Sequence, residues 1–149
     1  MRRQAYRCQA GSYSHPYNGV IETMGRQELH IVLVSNDPQR AYPAFQLAMG
    51  AAAMGHKARV YATTAGLDLL RKGAADKIQL PGYPPLGQIL RDAIKYGAEV
   101  CACAASSDIL KGQGISPETV EPGVKLEDMI GFLNEALPAA KDGGVVTFI

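Results

Sequence analysis

The chain has 149 residues, of which 47% are apolar and 19% are charged, and its formal net charge is +1. This length predicts one domain, and the apolar fraction suffices for a buried core. The nearly balanced charge gives no field that would favour nucleic acid or an anionic membrane. No run approaches the roughly 18 apolar residues that a membrane span needs. Three cysteines are too few for a secreted disulfide framework, which favours a reducing, cytoplasmic setting.

The first 27 residues differ in character from the rest of the chain. They carry Arg2, Arg3 and Arg7 but lack the apolar core of a secretory signal. We therefore expect residues 1–27 to be an N-terminal extension of low order and residues 28–149 to form a single α/β domain. Cys8 lies in the extension and is not expected to belong to an organised site.

The first half of the expected domain alternates strand and helix. A near-continuous apolar run predicts a buried strand at ELHIVLVSN, and an alanine-rich run predicts a buried helix at YPAFQLAMGAAAMG that stops at Gly55. A second strand is predicted at KARVYAT, followed by a shorter helix at AGLDLLRKGAA that ends at Gly73. Apolar residues at helical spacing predict a further helix in PGYPPLGQILRDAIKYG, closed by Gly97.

The second half continues the alternation. We predict a third strand at AEVCACA and a short helix with a serine cap at SSDILKGQG. Residues 120–124 hold at most a short strand, since Pro122 disfavours strand pairing. A clear amphipathic helix is predicted at KLEDMIGFLNEALPAA and a last strand at VVTFI. The apolar face of that helix consists of Leu126, Met129, Ile130, Leu133 and Leu137.

Apolar strands that alternate with helices indicate a parallel sheet covered by helices on both faces. We therefore predict a flavodoxin-like three-layer α/β/α fold with a mainly parallel sheet of four or five strands. Ligands and chemistry in such folds lie beyond the carboxyl ends of the strands. Three junctions form that edge here: residues 35–37, residues 63–66 and residues 103–106.

Two cysteines lie on the third predicted strand. The two-residue period puts Cys101 and Cys103 on one face of the sheet and Ala102 on the other. Cys103 falls at the carboxyl edge, before a helix whose first amides and dipole would favour a thiolate, and its small neighbours would let another protein's sulfur approach. Cys101 lies deeper, as a buried neighbour or a resolving thiol. The alternative is that both thiols fill the core, as free cysteines often do.

Other chemistries find less support in the sequence. The Cys-x-Cys pair with His30 and His56 lacks the ligand spacing of a zinc site, so no metal is expected. No glycine-rich phosphate loop follows a predicted strand, so no nucleotide or flavin cofactor is expected. A thiol peroxidase is disfavoured because the chain has no Thr-x-x-Cys pattern.

Polar residues at the other two junctions have two interpretations each. Asn36 and Asp37 favour a helix cap over acid–base catalysis. Thr63 and Thr64 are placed to bind a ligand or, more simply, to cap the helix that begins near Gly66.

In the order of these motifs the chain resembles the DsrE/DsrF-like family of small sulfur-relay proteins, over residues 29–149. The shared pattern has a first strand with a polar loop and a long helix, IVLVSNDPQRAYPAFQLAMGAAAMG. A second strand follows with a threonine-rich turn, VYATTAGLDLL, and then a third strand that ends in cysteine, CACAASSDIL. The chain departs from the family at KGQGIS, which is longer than the usual step, and in its first 28 residues.

The resemblance implies a sulfur carrier or sulfurtransferase-like protein. Cys103 matches the cysteine that accepts sulfane sulfur as a persulfide, or a related thiosulfonate, and passes it to a partner protein. Ser106 matches a small polar residue of the next turn, and we group it with Asn36 and Thr64 as binding residues. The cation that would assist the thiolate is left open among Arg40, Arg91, Lys95 and Lys111.

Relatives of this kind assemble as trimers or hexamers, so the resemblance also implies a homo-oligomer. Its partners would be a sulfur donor and a sulfur acceptor protein, without cofactor, metal, nucleic acid or membrane. The alternative comes from another class of protein: a non-catalytic oligomeric module that holds a small ligand at the strand ends, with structural cysteines.

Overall fold

A computed structural model describes residues 25–104 and 112–149. Within these ranges five strands form one sheet in the order β4-β3-β2-β1-β5, and every pairing is parallel. The strands are β1 (Glu28–Leu33), β2 (Lys57–Ala62), β3 (Glu99–Cys103), β4 (Lys125–Glu127) and β5 (Val145–Phe148).

Helices cover both faces of the sheet, as predicted. The α-helices with described bounds are α1 (Pro38–Ala53), α2 (Leu86–Lys95) and α3 (Met129–Lys141). Right-handed crossovers from β1 to β2 and from β2 to β3 place α1 and α2 together on one face. The chain then returns from β4 to β5 across the other face and carries α3 there. The three-layer α/β/α class is confirmed, while the strand order differs from the 2-1-3-4-5 order of flavodoxin itself.

The two faces of the sheet differ in chemistry. The face toward α1 and α2 is apolar and fully buried, with Ile31, Val60 and Val100 at its centre. The opposite face, which we call the α3 face, carries polar and sulfur-containing side chains in the middle of the strands. They are His30, Arg59, Tyr61, Cys101 and Cys103. Phe132 of α3 packs on this face against the rings of His30 and Tyr61.

Helix α1 begins at Pro38. A proline fits this position because the first N–H of a helix has no hydrogen-bond partner within the helix. Asp37 is the N-cap, and its carboxylate accepts a hydrogen bond from the Gln39 amide at 2.9 Å. The capping interpretation of Asp37 is therefore confirmed. Gly55 follows the helix with φ +86°, a conformation that glycine adopts without steric cost, so the predicted stop is also confirmed.

The helix predicted at AGLDLLRKGAA is instead a 3-10 helix over Thr64–Leu70. Gly66 explains the difference, because a Cβ at this position would lie only 2.4 Å from the carbonyl oxygen of Leu33. The segment thus runs directly against β1, and this contact leaves no room for the wider α-helical turn. The chain then continues to Arg71, which bridges to Val120.

The fourth strand lies after the predicted position. Val120 is buried and makes only the bridge to Arg71, while Pro122 and Gly123, with φ +92°, turn the chain. Strand β4 then forms over Lys125–Glu127, the first residues of the segment predicted as a helix. The prediction of a short strand at 120–124 was therefore wrong in position, since cross-strand pairing with β3 was not visible in the local sequence.

Helix α3 begins later than predicted, with Asp128 as N-cap accepting from the Gly131 amide at 2.7 Å. It packs on the sheet through Phe132 and two small residues, Ala136 and Ala139. Leu126 of the predicted apolar face lies on β4 and packs against the core, whereas the four residues on α3 are exposed instead. The exposed fractions are 58% for Met129, 66% for Ile130, 36% for Leu133 and 64% for Leu137. Among the described helices none is long and apolar enough to cross a membrane.

Candidate functional site

Cys103 is the last residue of β3, as predicted, and lies opposite Glu127 of β4. The backbone continues this pairing, since the Ala104 amide donates to the Glu127 carbonyl at 2.8 Å. The thiol is only 5% exposed, so the expected open approach for another protein's sulfur is not seen. Strand β4, which was not expected at this position, pairs with β3 beside Cys103.

Ser106 and the start of the predicted helix, whose first amides would favour a thiolate, fall within residues 105–111, outside the described residues. The same is true of Lys111, one of the cations considered above. These three assignments therefore stay predictions.

Cys101 lies two residues deeper on the α3 face and is 1% exposed. Nη2 of Arg59 on the neighbouring strand donates to its Sγ at 3.6 Å. Burial raises the pKa of Cys101 to about 11, although the charge of Arg59 acts in the opposite direction. At neutral pH Cys101 is therefore a neutral thiol, which agrees with its interpretation as a buried neighbour.

The guanidinium of Arg59 is surrounded by carboxylates from three elements. Its Nη2 pairs with Glu127 of β4, its Nε lies 3.4 Å from Glu99 of β3, and its Nη1 lies 3.4 Å from Glu135 of α3. Arg59 is itself only 2% exposed. A buried cation with this many anionic neighbours remains charged, because burial without such partners would be costly.

Arg59 is thus a cation in contact with Cys101, and it was not among the four cations considered from the sequence. Arg91, which was considered, instead pairs with Asp76 at 2.7 Å on an exposed surface. The sequence did contain a feature that points to Arg59. An arginine in the centre of a buried strand, here KARVYA, needs a carboxylate partner.

Tyr61 occupies the next position of the α3 face along β2 and is 4% exposed. Its ring stacks on Phe132 with centroids 4.5 Å apart and planes inclined by 24°. In the described part of the chain its hydroxyl has no hydrogen-bond partner of good geometry. Burial raises the pKa of Tyr61, and the adjacent Cys103 and then Glu127 act in the same direction. The hydroxyl and the Cys103 thiol are therefore neighbours without an aligned hydrogen bond.

An apolar groove of about 200 Å³ lies beside Tyr61, at the carboxyl ends of β1, β2 and β5. Its lining consists of Val32, Val34, Tyr61, Thr63, Met129, Phe132, Leu133 and Phe148. A larger cavity, of about 460 Å³, lies at the opposite end of the sheet and includes Glu28, Lys57 and Glu135. Lys57 pairs with both of those carboxylates, and neither Cys101 nor Cys103 lines that cavity.

The predicted binding residues Asn36 and Thr64 lie at the expected edge but already have intramolecular partners. Nδ2 of Asn36 donates to Asp68 at 3.4 Å, and Oγ1 of Thr64 donates to the carbonyl of Val34 at 2.9 Å. Thr64 has φ +50°, a strained conformation for a β-branched residue. Asn36 follows β1, which lies two strands from Cys103, whereas Thr64 follows the adjacent β2.

Within residues 25–104 and 112–149 no three His, Cys, Asp or Glu side chains are grouped to hold a metal ion. His30 is buried, and its Nε2 lies 2.9 Å from Glu28. His56 accepts a hydrogen bond from the Gln27 amide at 3.1 Å. Both histidines therefore have structural roles near the amino-terminal end of the sheet.

The profile of the DsrE/DsrF-like family matches residues 29–136. An uncharacterized protein of Methanocaldococcus jannaschii is 28% identical over 100 residues, which are 67% of this chain and 35% of that protein. The chain therefore spans about a third of the length of this relative. The crystal structure of the ychN protein from E. coli matches with a TM-score of 0.57 and 16% identity, over 82% of this chain and 97% of that one. An identity this low supports likeness of fold alone.

Proposed function

Because the chain belongs to the DsrE/DsrF-like family, which is generally linked to sulfur relay, we propose that it is a sulfur carrier or sulfurtransferase with Cys103 as the acceptor. The observation that carries the assignment to this residue is its place at the carboxyl end of β3. It is the thiol nearest the sheet edge at which α/β proteins perform their chemistry, in the part of the chain that the structure describes.

The proposed reaction is a sulfur exchange without net oxidation or reduction. The Cys103 thiolate attacks the outer sulfur of a donor persulfide, R–S–SH, and a new S–S bond forms. The S–S bond of the donor breaks, its electron pair leaves on the donor's cysteine as a thiolate, and the proton stays on the transferred sulfur. Cys103 then carries –S–SH, and the same exchange with an acceptor thiol returns it to the resting state.

The state of Cys101 supports the choice between the two thiols. With a pKa of about 11, Cys101 is a thiolate in only about one molecule in ten thousand at pH 7. A carrier must react near neutral pH, so Cys101 is not a useful acceptor. We assign it to the buried layer under Cys103, where it contacts Arg59.

The proposal includes a homo-oligomer. Helix α3 presents an apolar surface to solvent, and the edge strand β5 continues it with Phe148, which is 72% exposed. Met129 and Phe148 both line the apolar groove, so the helix and strand parts of this surface adjoin. Apolar side chains that are exposed side by side typically mark a protein interface. A second copy of the chain is the occupant that family likeness favours.

The alternative, a non-catalytic module that binds a small ligand, has one observation in its favour. The apolar groove of about 200 Å³ is an adequate cradle for a small ligand, whereas Cys103 is only 5% exposed. Both proposals place the protein in a reducing compartment. They differ in their partners, because only the carrier needs a sulfur donor protein and a sulfur acceptor protein.

Intact mass spectrometry tests the carrier directly. The parent is the Cys8→Ser variant, which removes the cysteine outside the described residues, and it is compared with the same chain bearing Cys103→Ser or Cys101→Ser. After incubation with inorganic polysulfide, we expect a reducible gain of one or more sulfur atoms in the parent and in Cys101→Ser but not in Cys103→Ser. If all three folded proteins stay unmodified, the carrier is rejected and the ligand-binding module is favoured.

A further inference from the structure

Tyr61 carries a buried hydroxyl that lacks a hydrogen-bond partner among residues 25–104 and 112–149. Buried tyrosine hydroxyls usually find a partner, because leaving the group unsatisfied destabilises the folded state. A phenylalanine would provide the same ring and the same stacking on Phe132 without this cost. The oxygen therefore needs an explanation that packing does not supply.

The hydroxyl is placed next to the sulfur chemistry proposed above. Tyr61 is the register partner of Cys101 in the β2–β3 pairing, and Cys103 is the next residue of β3 on the same face. Stacking on Phe132 fixes the ring from the α3 side. The interaction with Cys103 also contributes to the raised pKa of Tyr61, so the two groups are close in space.

The surroundings keep the phenol protonated. Burial raises the pKa of Tyr61, followed by the effects of Cys103, Glu127 and Asp128, and a raised pKa favours the neutral form of tyrosine. Among the described residues, the charged groups on this side of the sheet include Arg59 from β2, Lys125 and Glu127 from β4 and Asp128 at the start of α3. The hydroxyl is thus able to donate a hydrogen bond throughout the neutral pH range.

We propose that the Tyr61 hydroxyl donates a hydrogen bond to the thiolate of Cys103, the sulfur anion that attacks the donor. This inference rests on the proposed function, since it assigns a second residue to the same site. A neutral thiol is a weak acceptor, which accounts for the unpaired hydroxyl in the resting chain. Once the sulfur is charged, the bond becomes charge-assisted and stronger. The proton stays on Tyr61 throughout.

The donor acts beside a nearly balanced set of charges. Glu127 lies opposite Cys103 and pairs with Arg59, and Asp128 follows Glu127 in the chain. Arg59 is already engaged with three carboxylates, so its charge is largely neutralised locally. A neutral hydrogen-bond donor stabilises the sulfur anion without altering that charge arrangement.

The test uses Tyr61→Phe in the Cys8→Ser parent, because this change removes one oxygen and keeps the ring. The rate of iodoacetamide alkylation at Cys103 is measured against pH, and modification is located by peptide mass spectrometry. We expect the midpoint of the profile to move to higher pH, with a roughly tenfold slower reaction at neutral pH, as for the loss of a hydrogen bond to a charged group. The limiting rate at high pH should not change, since access to the thiol is the same.

Tyr42→Phe is the matched control. Tyr42 is 2% exposed, but its hydroxyl has a partner, donating to the Pro84 carbonyl at 2.6 Å. Its loss should leave the alkylation profile unchanged and lower the unfolding temperature. Tyr61→Phe should leave the unfolding temperature at or above that of the parent, because the lost oxygen has no structural partner.

The outcomes separate this inference from the proposed function. An unchanged pH profile in Tyr61→Phe, or a lower unfolding temperature, would overturn the role of Tyr61 even if Cys103→Ser abolishes sulfur uptake. A shifted profile in a protein that accepts no sulfur would support the hydrogen bond to the thiolate while rejecting the carrier. The alkylation experiment gives a result in either case, since it needs no sulfur donor.

Discussion

Arg59 on β2 and Cys101 on β3 are joined in the protein interior by a hydrogen bond of 3.6 Å from Nη2 to Sγ. The arginine is 2% exposed and the cysteine 1% exposed, so both groups are removed from water. Burial nevertheless outweighs the arginine's charge and leaves Cys101 with a pKa of about 11. Carboxylates, rather than a thiolate, therefore balance the charge of Arg59.

This relationship predicts a large stability effect for Arg59→Met. The change leaves the partly buried Glu127 without its cation and Glu99 with only the exposed Lys125, and breaking a buried ion pair in this way typically costs about 3–5 kcal/mol. The control is Arg71→Met, which breaks an exposed pair with Asp68 at 3.5 Å and should cost much less. Urea unfolding followed by circular dichroism measures both. Equal losses in the two variants would contradict a buried charge network around Arg59.

The raised pKa of Cys101 predicts a specific pH dependence of stability. The ordinary pKa of a cysteine thiol is 9.0 and that of Cys101 in the folded chain is about 11, so the folded state holds the proton more tightly. The contribution is fully present below pH 9 and is lost as the pH rises from about 9 to about 11. We expect the free energy of unfolding to fall by about 2 kcal/mol more in the parent than in Cys101→Ala between about pH 8 and about pH 10.5.

The measurement is urea unfolding of both proteins at the two pH values. Lysines and tyrosines titrate in the same range, but they are common to both proteins and cancel in the difference. Parallel losses of stability in the parent and in Cys101→Ala would show that this thiol is not held in its neutral form by burial.

The close approach of Gly66 to β1 predicts that this glycine does not tolerate a side chain. A Cβ would lie 2.4 Å from the Leu33 carbonyl oxygen, and Gly66→Ala should cost about 1–3 kcal/mol through overpacking. Gly50 in α1 is the matched control, because its Cβ would meet nothing within 4 Å and alanine favours a helix by about 0.5–1 kcal/mol. Thermal unfolding should therefore shift in opposite directions for the two variants. A stabilised Gly66→Ala protein would disprove the contact.

The exposed face of α3 predicts that association depends on Leu137, which is 64% exposed. Leu137→Gln should weaken self-association at least about tenfold if the residue lies in the interface core. Leu47 in α1 is 54% exposed and lies on the opposite layer, so Leu47→Gln should have no effect. Sedimentation equilibrium gives the mass and the dissociation constant. A parent that is monomeric at micromolar concentration, or equal weakening by both changes, would refute this interface.

Local patterns were sufficient for much of the secondary structure. Strands β1, β2, β3 and β5 and helix α2 were predictable because apolar runs and helical spacing are properties of short segments. The segment at Thr64–Leu70 was predicted as an α-helix and is a 3-10 helix, since contact with a distant strand decided it. Strand β4 was missed for the same reason, because three residues become a strand only by pairing with β3.

The sequence by itself determined the fold class, the family likeness and the place of Cys103 at the carboxyl end of its strand. The tertiary structure decided what surrounds that thiol, because β-sheet order brings together residues far apart in the chain. Arg59 and Tyr61 of β2 and Glu127 of β4 are far apart in the chain and lie beside the two cysteines of β3 only through the order β4-β3-β2. Packing also decided which side of α3 faces the sheet. Phe132, Ala136 and Ala139 contact the sheet more closely than the larger leucines would, so the leucines of α3 face outward.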